Sequence, residues 1–150
     1  MRSLFLVPLL LLTLSASGRV HAGNCGIELK TSDAIKYDQR SVTVSATCTT
    51  ITVTLTHTGK LPVQAMGHNV VISAADAVQG VAQDGLKAGL AGNFVKPGDT
   101  RVIVATAMIG GGQSTTASFP GQALKAGGAY RFFCTAPGHL ALMTGRLIVE

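Results

Sequence analysis

The chain has 150 residues, 47% of them hydrophobic and 13% charged, and its 12 Lys and Arg against 7 Asp and Glu give a formal charge of +5. Beyond Arg2 and Arg19 the basic residues are scattered from Lys30 to Arg146 without a run, which excludes a nucleic-acid footprint built from a basic cluster. The length suits one domain with a sizeable core.

The N-terminus reads as a secretory leader. Met1-Arg2-Ser3 is a short positive start, Leu4 to Leu12 is apolar, and Val20-His21-Ala22 puts small residues at −3 and −1 of a cleavage site. The apolar run is shorter than the ~20 residues of a membrane-crossing helix. Asn24 is the wrong residue to precede a lipidated Cys25, so no lipid anchor is expected. Residues 1–22 are therefore expected to be removed and 23–150 to form the single domain. That segment keeps ten basic and seven acidic residues, a mild +3. Its destination is an oxidising compartment.

Most of the remaining chain predicts strands. Ser41 to Thr47 and Thr50 to Thr56 alternate polar and apolar residues, many β-branched, as strands with one buried face do. Further strands are expected at Ile27–Thr31, His68–Ser73, Arg101–Met108, Thr115–Phe119, Ala129–Cys134 and Thr144–Val149. Turn signals separate them at Thr58-Gly59-Lys60, Lys96-Pro97-Gly98-Asp99, Gly110-Gly111-Gly112 and Lys125-Ala126-Gly127-Gly128. About eight short strands at this spacing imply an all-β sandwich or barrel. One stretch, Ala74 to Leu90, carries Ala77, Val78, Val81 and Leu86 at helix-like spacing and predicts a short helical insertion. Gly80, Gly85 and Gly89 make it weak in isolation.

The chain has three cysteines. Cys25 and Cys48 are natural disulfide partners, and closing their loop stabilises by about 3 kcal/mol on the chain-entropy model. Cys134 is left as a free thiol in an exported protein, which calls for an explanation. It opens Cys134-Thr135-Ala136-Pro137-Gly138-His139-Leu140-Ala141-Leu142-Met143, where a strand ends at Cys134 and the next begins after Met143. One loop thus presents a thiolate, an imidazole and a thioether. A distant His68 follows Met66-Gly67. Singly, each residue suits a structural role. Together they form the set that holds blue copper: soft sulfur ligands suit Cu(I), imidazole suits both oxidation states, and two His with one Cys make a trigonal plane with a weak axial Met.

Over nearly all of 23–150 the sequence resembles the azurins, bacterial periplasmic cupredoxins. The resemblance rests on Cys25 and Cys48, Met66-Gly67-His68-Asn69, Ala74-Ala75-Asp76-Ala77-Val78-Gln79-Gly80, Val95 to Ile103, Phe132 to His139, and Ala141-Leu142-Met143. It implies a Greek-key β-sandwich with a helix-bearing flap and one copper ion held by His68, Cys134, His139 and Met143. The Gly67 carbonyl is implied as a second weak axial contact. Asn69, through Thr135, is implied to tie the ligand loops together, and the N–H groups of Asn69 and Ala136 to donate to the Cys134 sulfur. An apolar docking patch is implied at Ile35, Leu61, Ala65, Met66 and Leu86, continued by Ala136, Pro137, Gly138, Ala141 and Leu142 around His139. Through it the protein would exchange single electrons with c-type cytochromes or periplasmic reductases and dehydrogenases, as a monomer. His57 matches a His linked to redox state in some azurins, and suits a surface turn equally well. Two departures stand out. The chain has no Trp and carries Val70 where many azurins bury one, and Ala136 stands where Phe is common.

Other classes fit worse. A copper enzyme needs further His-rich sites, and after the ligands only His57 remains beyond the leader. A chaperone or copper store favours exposed Met or Cys clusters. A thioether is a poor fourth ligand for zinc.

Overall fold

Two sheets face each other across one core in the computed structural model, which describes residues 23–150; the expected leader lies outside the described residues. The smaller sheet has the order β1 (Gly26–Thr31), β3 (Thr50–His57), β6 (Ser114–Pro120). The larger has the order β2 (Ser41–Val44), β8 (Thr144–Val149), β7 (Tyr130–Phe133), β4 (Val71–Ala74), β5 (Val102–Ala105). β1 runs parallel to β3 and β2 parallel to β8, while the other pairs are antiparallel. The expected eight-stranded sandwich is what forms.

Period-two alternation decides the inner faces. Ile51, Val53 and Leu55 of β3 point inward with Ile27 and Leu29 of β1, and meet Val42, Val44, Leu147 and Val149 from the other sheet. The intervening Thr52, Thr54 and Thr56 face outward, where their hydroxyls pair across β6 with Ser118, Thr116 and Ser114. β4 and β7 read differently because both of their faces are covered. Ile72 and Phe132 enter the main core, whereas Val71 and Phe133 meet Val78 and Val81 of helix α2 (Val78–Gly85) in a second cluster. That double burial is why apolar residues stand side by side at Val71-Ile72 and Phe132-Phe133. Gly145 is required opposite Phe132: a β-carbon there would lie 2.0 Å from the ring.

Several boundaries differ from expectation. The helical insertion expected over Ala74 to Leu90 is regular only over Val78–Gly85, then tightens into 3-10 turns at Leu86–Ala88 and Leu90–Gly92. Leu86, expected on its apolar face, is 48% exposed because the helix ends just before it. β4 begins at Val71 rather than His68, which makes only an isolated bridge to Ile109. β2 stops at Val44 and β5 at Ala105. A four-residue helix α1 (Val63–Met66) lies just before Gly67. Cys25 and Cys48 form the disulfide, at the end of the sandwich opposite the Cys134 loop.

Arg101 fastens the helix to the β5 approach. Its guanidinium reaches Asp84 near the end of α2 and Asp99, each at 2.6 Å. The hydrogen bond from Arg101 holds the Asp99 carboxyl down at about 2, below its ordinary 3.8. A depressed folded value means a contribution fully present above pH 3.8 and lost as pH falls through about 2. Urea midpoints measured at low salt should therefore fall over this window, and Asp99→Asn should lower stability at neutral pH while flattening that part of the profile.

Candidate metal centre

Two chain segments converge at one end of the sandwich. His68 arrives from the link between α1 and β4, and Cys134 and His139 from the loop between β7 and β8. Ligand-capable atoms of all three lie within 4.8 Å of one another, and all three residues are buried. Cys134 Sγ and His139 Nδ1 are 3.7 Å apart.

Each side chain is held with its donor atom directed inward. His68 Nε2 lies 3.1 Å from the Ser32 carbonyl, which can only accept, so that nitrogen carries the proton. The lone pair is then on Nδ1, and Nδ1 is fully buried without a hydrogen-bond partner. A buried orphan of this kind requires an explanation. Burial, with the neighbouring His139 and His57, lowers the His68 pKa to about 4 and keeps the ring neutral. Burial also lowers that of His139. The ring centroids of His57, His68 and His139 follow one another at 5.0 Å spacings.

Cys134 is completely buried, and burial pushes its thiol up to about 11, while the N–H groups of Asn69 and Ala136 pull in the opposite direction. Two backbone donors aimed at one sulfur favour its anion. In an apolar core that anion needs a cation. The orphaned imidazole nitrogen, the second imidazole and the buried thiol therefore fit a thiophilic metal ion. Met143 is wholly buried, and its backbone binds both loop ligands: Cys134 N–H donates to its carbonyl at 3.0 Å, and its own N–H donates to the His139 carbonyl at 2.8 Å. Gly67 precedes His68 in extended backbone, where a β-carbon would meet the Val63 carbonyl at 2.4 Å.

Asn69 braces the segments. Its Nδ2 donates to Thr135 Oγ1 at 2.8 Å and to the Asn93 carbonyl at 3.0 Å, and its Oδ1 accepts from Thr135 N–H at 3.0 Å. Two partners were invisible in the sequence. Asn93, in a left-handed backbone with φ 55°, supplies that carbonyl and accepts the Met108 N–H on its side chain. Tyr37, buried edge-on against Phe132, donates its hydroxyl to the Asn69 carbonyl. Both lie far from Asn69 in sequence, and no spacing signal connects them.

A sequence profile of copper-binding proteins of the plastocyanin/azurin family matches residues 24–150. The chain belongs to the plastocyanin/azurin family. It is 45% identical over 126 residues to the azurin of Pseudomonas denitrificans, covering 84% of this chain and 98% of that protein. It is 45% identical over 123 residues to the azurin of Alcaligenes faecalis, covering 82% and 96%. A solved structure of the Az-iso2 azurin of the obligate methylotroph Methylomonas sp. strain J superposes with a TM-score of 0.81 at 42% identity, covering 85% of this chain and 98% of that one. As a member of this family the chain is a copper electron-transfer protein and not an enzyme.

The remaining singled-out residues fall in two groups. Leu61, Leu86 and Leu142 are 41%, 48% and 60% exposed, and Ala65, Pro137, Gly138 and Ala141 are exposed with them. Ile35 and Met66 are half-buried, and Ala136 is buried. His57 is buried at the end of β3 rather than displayed in a turn: Nδ1 accepts the Gly59 N–H at 3.1 Å and Nε2 lies 3.0 Å from the Met66 carbonyl. Val70 is fully buried in the main core.

Tyr37 gives this brace a direct check. Tyr37→Phe keeps the ring but leaves the buried Asn69 carbonyl without that donor, which costs about 1–3 kcal/mol. Urea unfolding of the metal-free protein should register the loss, and the Asn69 amide should exchange faster; unchanged values would show that the hydroxyl bond contributes nothing.

Proposed function

We propose that residues 23–150 form a periplasmic one-electron carrier with a type 1 copper site made by His68, Cys134, His139 and Met143. The observation that carries this reading is the fully buried His68 Nδ1, free of any hydrogen bond, beside Cys134 and His139. Bound copper supplies a Cu(I)/Cu(II) couple. His68 and His139 would hold it through neutral nitrogen donors, Cys134 through its thiolate and Met143 through its thioether, with the Gly67 carbonyl as a further weak contact. Asn69, Thr135 and Ala136 orient the thiolate and hydrogen-bond it, which tunes the potential. The brace fixes the donors in place, so little rearranges when charge changes.

His139 is the proposed exit. His139 retains 8% exposure as a residue, whereas His68 and Met143 have none. The docking face of this reading takes in Ala136, Pro137, Gly138, Ala141 and Leu142 around His139, together with Leu61, Ala65, Met66, Leu86 and Ile35. A small apolar face of this kind suits brief encounters with c-type cytochromes or with periplasmic reductases and dehydrogenases. The same reading takes residues 1–22 as the export signal and the protein as a monomer. It keeps His57, buried beside His68, as the proposed redox-linked proton site.

The decisive measurement is a visible spectrum of the protein with one equivalent of Cu(II). An intense thiolate-to-copper band should appear, bleach with ascorbate and be absent in Cys134→Ser. A pale spectrum would overturn the reading in favour of zinc or a purely structural site. For the docking face, Met66→Glu and Ala141→Glu should slow electron self-exchange by about tenfold, because each places like charges against each other in the encounter complex. An unchanged rate would remove the patch from the proposal.

A further inference from the structure

Ala136 leaves space next to the exit. A cavity of about 280 Å³ opens beside His139, walled by Val63, Leu90, Phe94, Met108 and Ala136. Exposed Gln64 and Pro137 also line it, so it opens to solvent on the docking face. Its walls are fixed by the backbone. Phe94 sits in a left-handed conformation with φ 51°, its N–H bound to the Gly89 carbonyl at 2.8 Å. Met108 is held through its N–H to Asn93 Oδ1 at 2.8 Å. A site of this kind exists before any ligand arrives.

Size and chemistry restrict the occupant. An apolar cavity of about 150 Å³ takes benzene, and pockets for drug-sized molecules begin near 300 Å³. One ring with small substituents therefore fits, and a haem or flavin does not. Among the described residues no Asp, Glu, Lys or Arg lines the space, so an ion entering it would lose water without gaining a charged partner. Phe94 and the His139 imidazole offer ring surfaces for edge or offset stacking. The Gln64 carboxamide at the mouth can bind one hydroxyl or N–H. We propose that this cavity binds one small neutral aromatic molecule of the phenol or indole class against His139. The cavity is formed by protein groups alone, so binding does not rest on the electron-carrier reading; only its effect on the copper potential does.

The test titrates phenol and indole, with benzoate as the charged control, into metal-free and copper-loaded protein. Methyl NMR signals of Val63, Leu90, Met108 and Ala136 report occupancy of the metal-free form, and the midpoint potential reports it in the loaded form. Saturable shifts of these methyls by phenol and indole but not benzoate are expected, with a shift in potential at saturating phenol. Ala136→Phe should abolish binding by filling the space. Because that change touches the loop carrying Cys134, Val63→Phe fills the cavity from the opposite wall and should abolish binding too. Absence of saturable shifts up to the solubility limit, equal shifts from benzoate, or binding that survives both fillings would overturn the proposal. Binding to metal-free protein that never develops the blue band would leave the cavity standing and remove the electron-carrier reading.

Discussion

Everything at this end of the sandwich follows from putting a sulfur anion into an apolar core. Cys134 is fully buried, and burial alone drives its thiol toward the protonated form. Two kinds of group act against that: the N–H donors of Asn69 and Ala136 and, in the proposed site, a bound metal cation. The donors cannot be supplied by flexible side chains, because a mobile donor would also admit water. They come instead from backbone that other elements hold. Asn69 lies between His68, which bridges to Ile109, and Val70, whose N–H donates to Thr106 Oγ1, and Ala136 lies in the Cys134 loop, where the His139 N–H closes back on the Ala136 carbonyl at 3.0 Å.

That requirement explains why the bracing is so dense around one residue. Asn69 uses both ends of its carboxamide on Thr135 and the Asn93 carbonyl, and its own carbonyl receives Tyr37. Removing any single partner would leave a buried polar group unpaired, so the network is all or none in effect. The conformation of Asn93 and Phe94 belongs to the same arrangement. Two consecutive non-glycine residues with positive φ are unfavourable on their own. They persist because the turn delivers a carbonyl to Asn69 and a side-chain oxygen to Met108 at once. Rigidity here has a functional consequence, since donors that cannot move keep the reorganisation on electron transfer small.

The sequence was legible where a local rule governs the outcome. Alternation of β-branched and polar residues marked β3 because one face meets the core and the other meets water. The Cys134, His139 and Met143 spacing marked the loop because a short segment between two strands can hardly avoid presenting all three together. It was illegible where distant segments decide. α1 is too short for any periodicity to register. Leu86 matched the helical spacing, yet the helix ends at Gly85 and releases it to the surface. His57 is followed by a turn sequence, but Met66 and the buried ring of His68 cover it from a separate segment. Tyr37 and Asn93 act on Asn69 across 32 and 24 residues, and only the fold puts them there.

The position of Ala136 shows how one side chain can serve two opposed demands. Its N–H is needed at the thiolate, which any residue but proline can supply, so the side chain is free to vary without touching the ligand set. A large ring there would close the space between the loop and the Phe94 turn and seal the site from water. Alanine leaves that space open while the backbone donor stays in place. The surrounding walls do not collapse into it, because Phe94 is tied to Gly89, Met108 to Asn93, and Val63 is packed against the Gly67 backbone. Collapse would break bonds that also hold the Asn69 brace. The rigidity that keeps the metal donors fixed is therefore the same rigidity that preserves an opening beside His139.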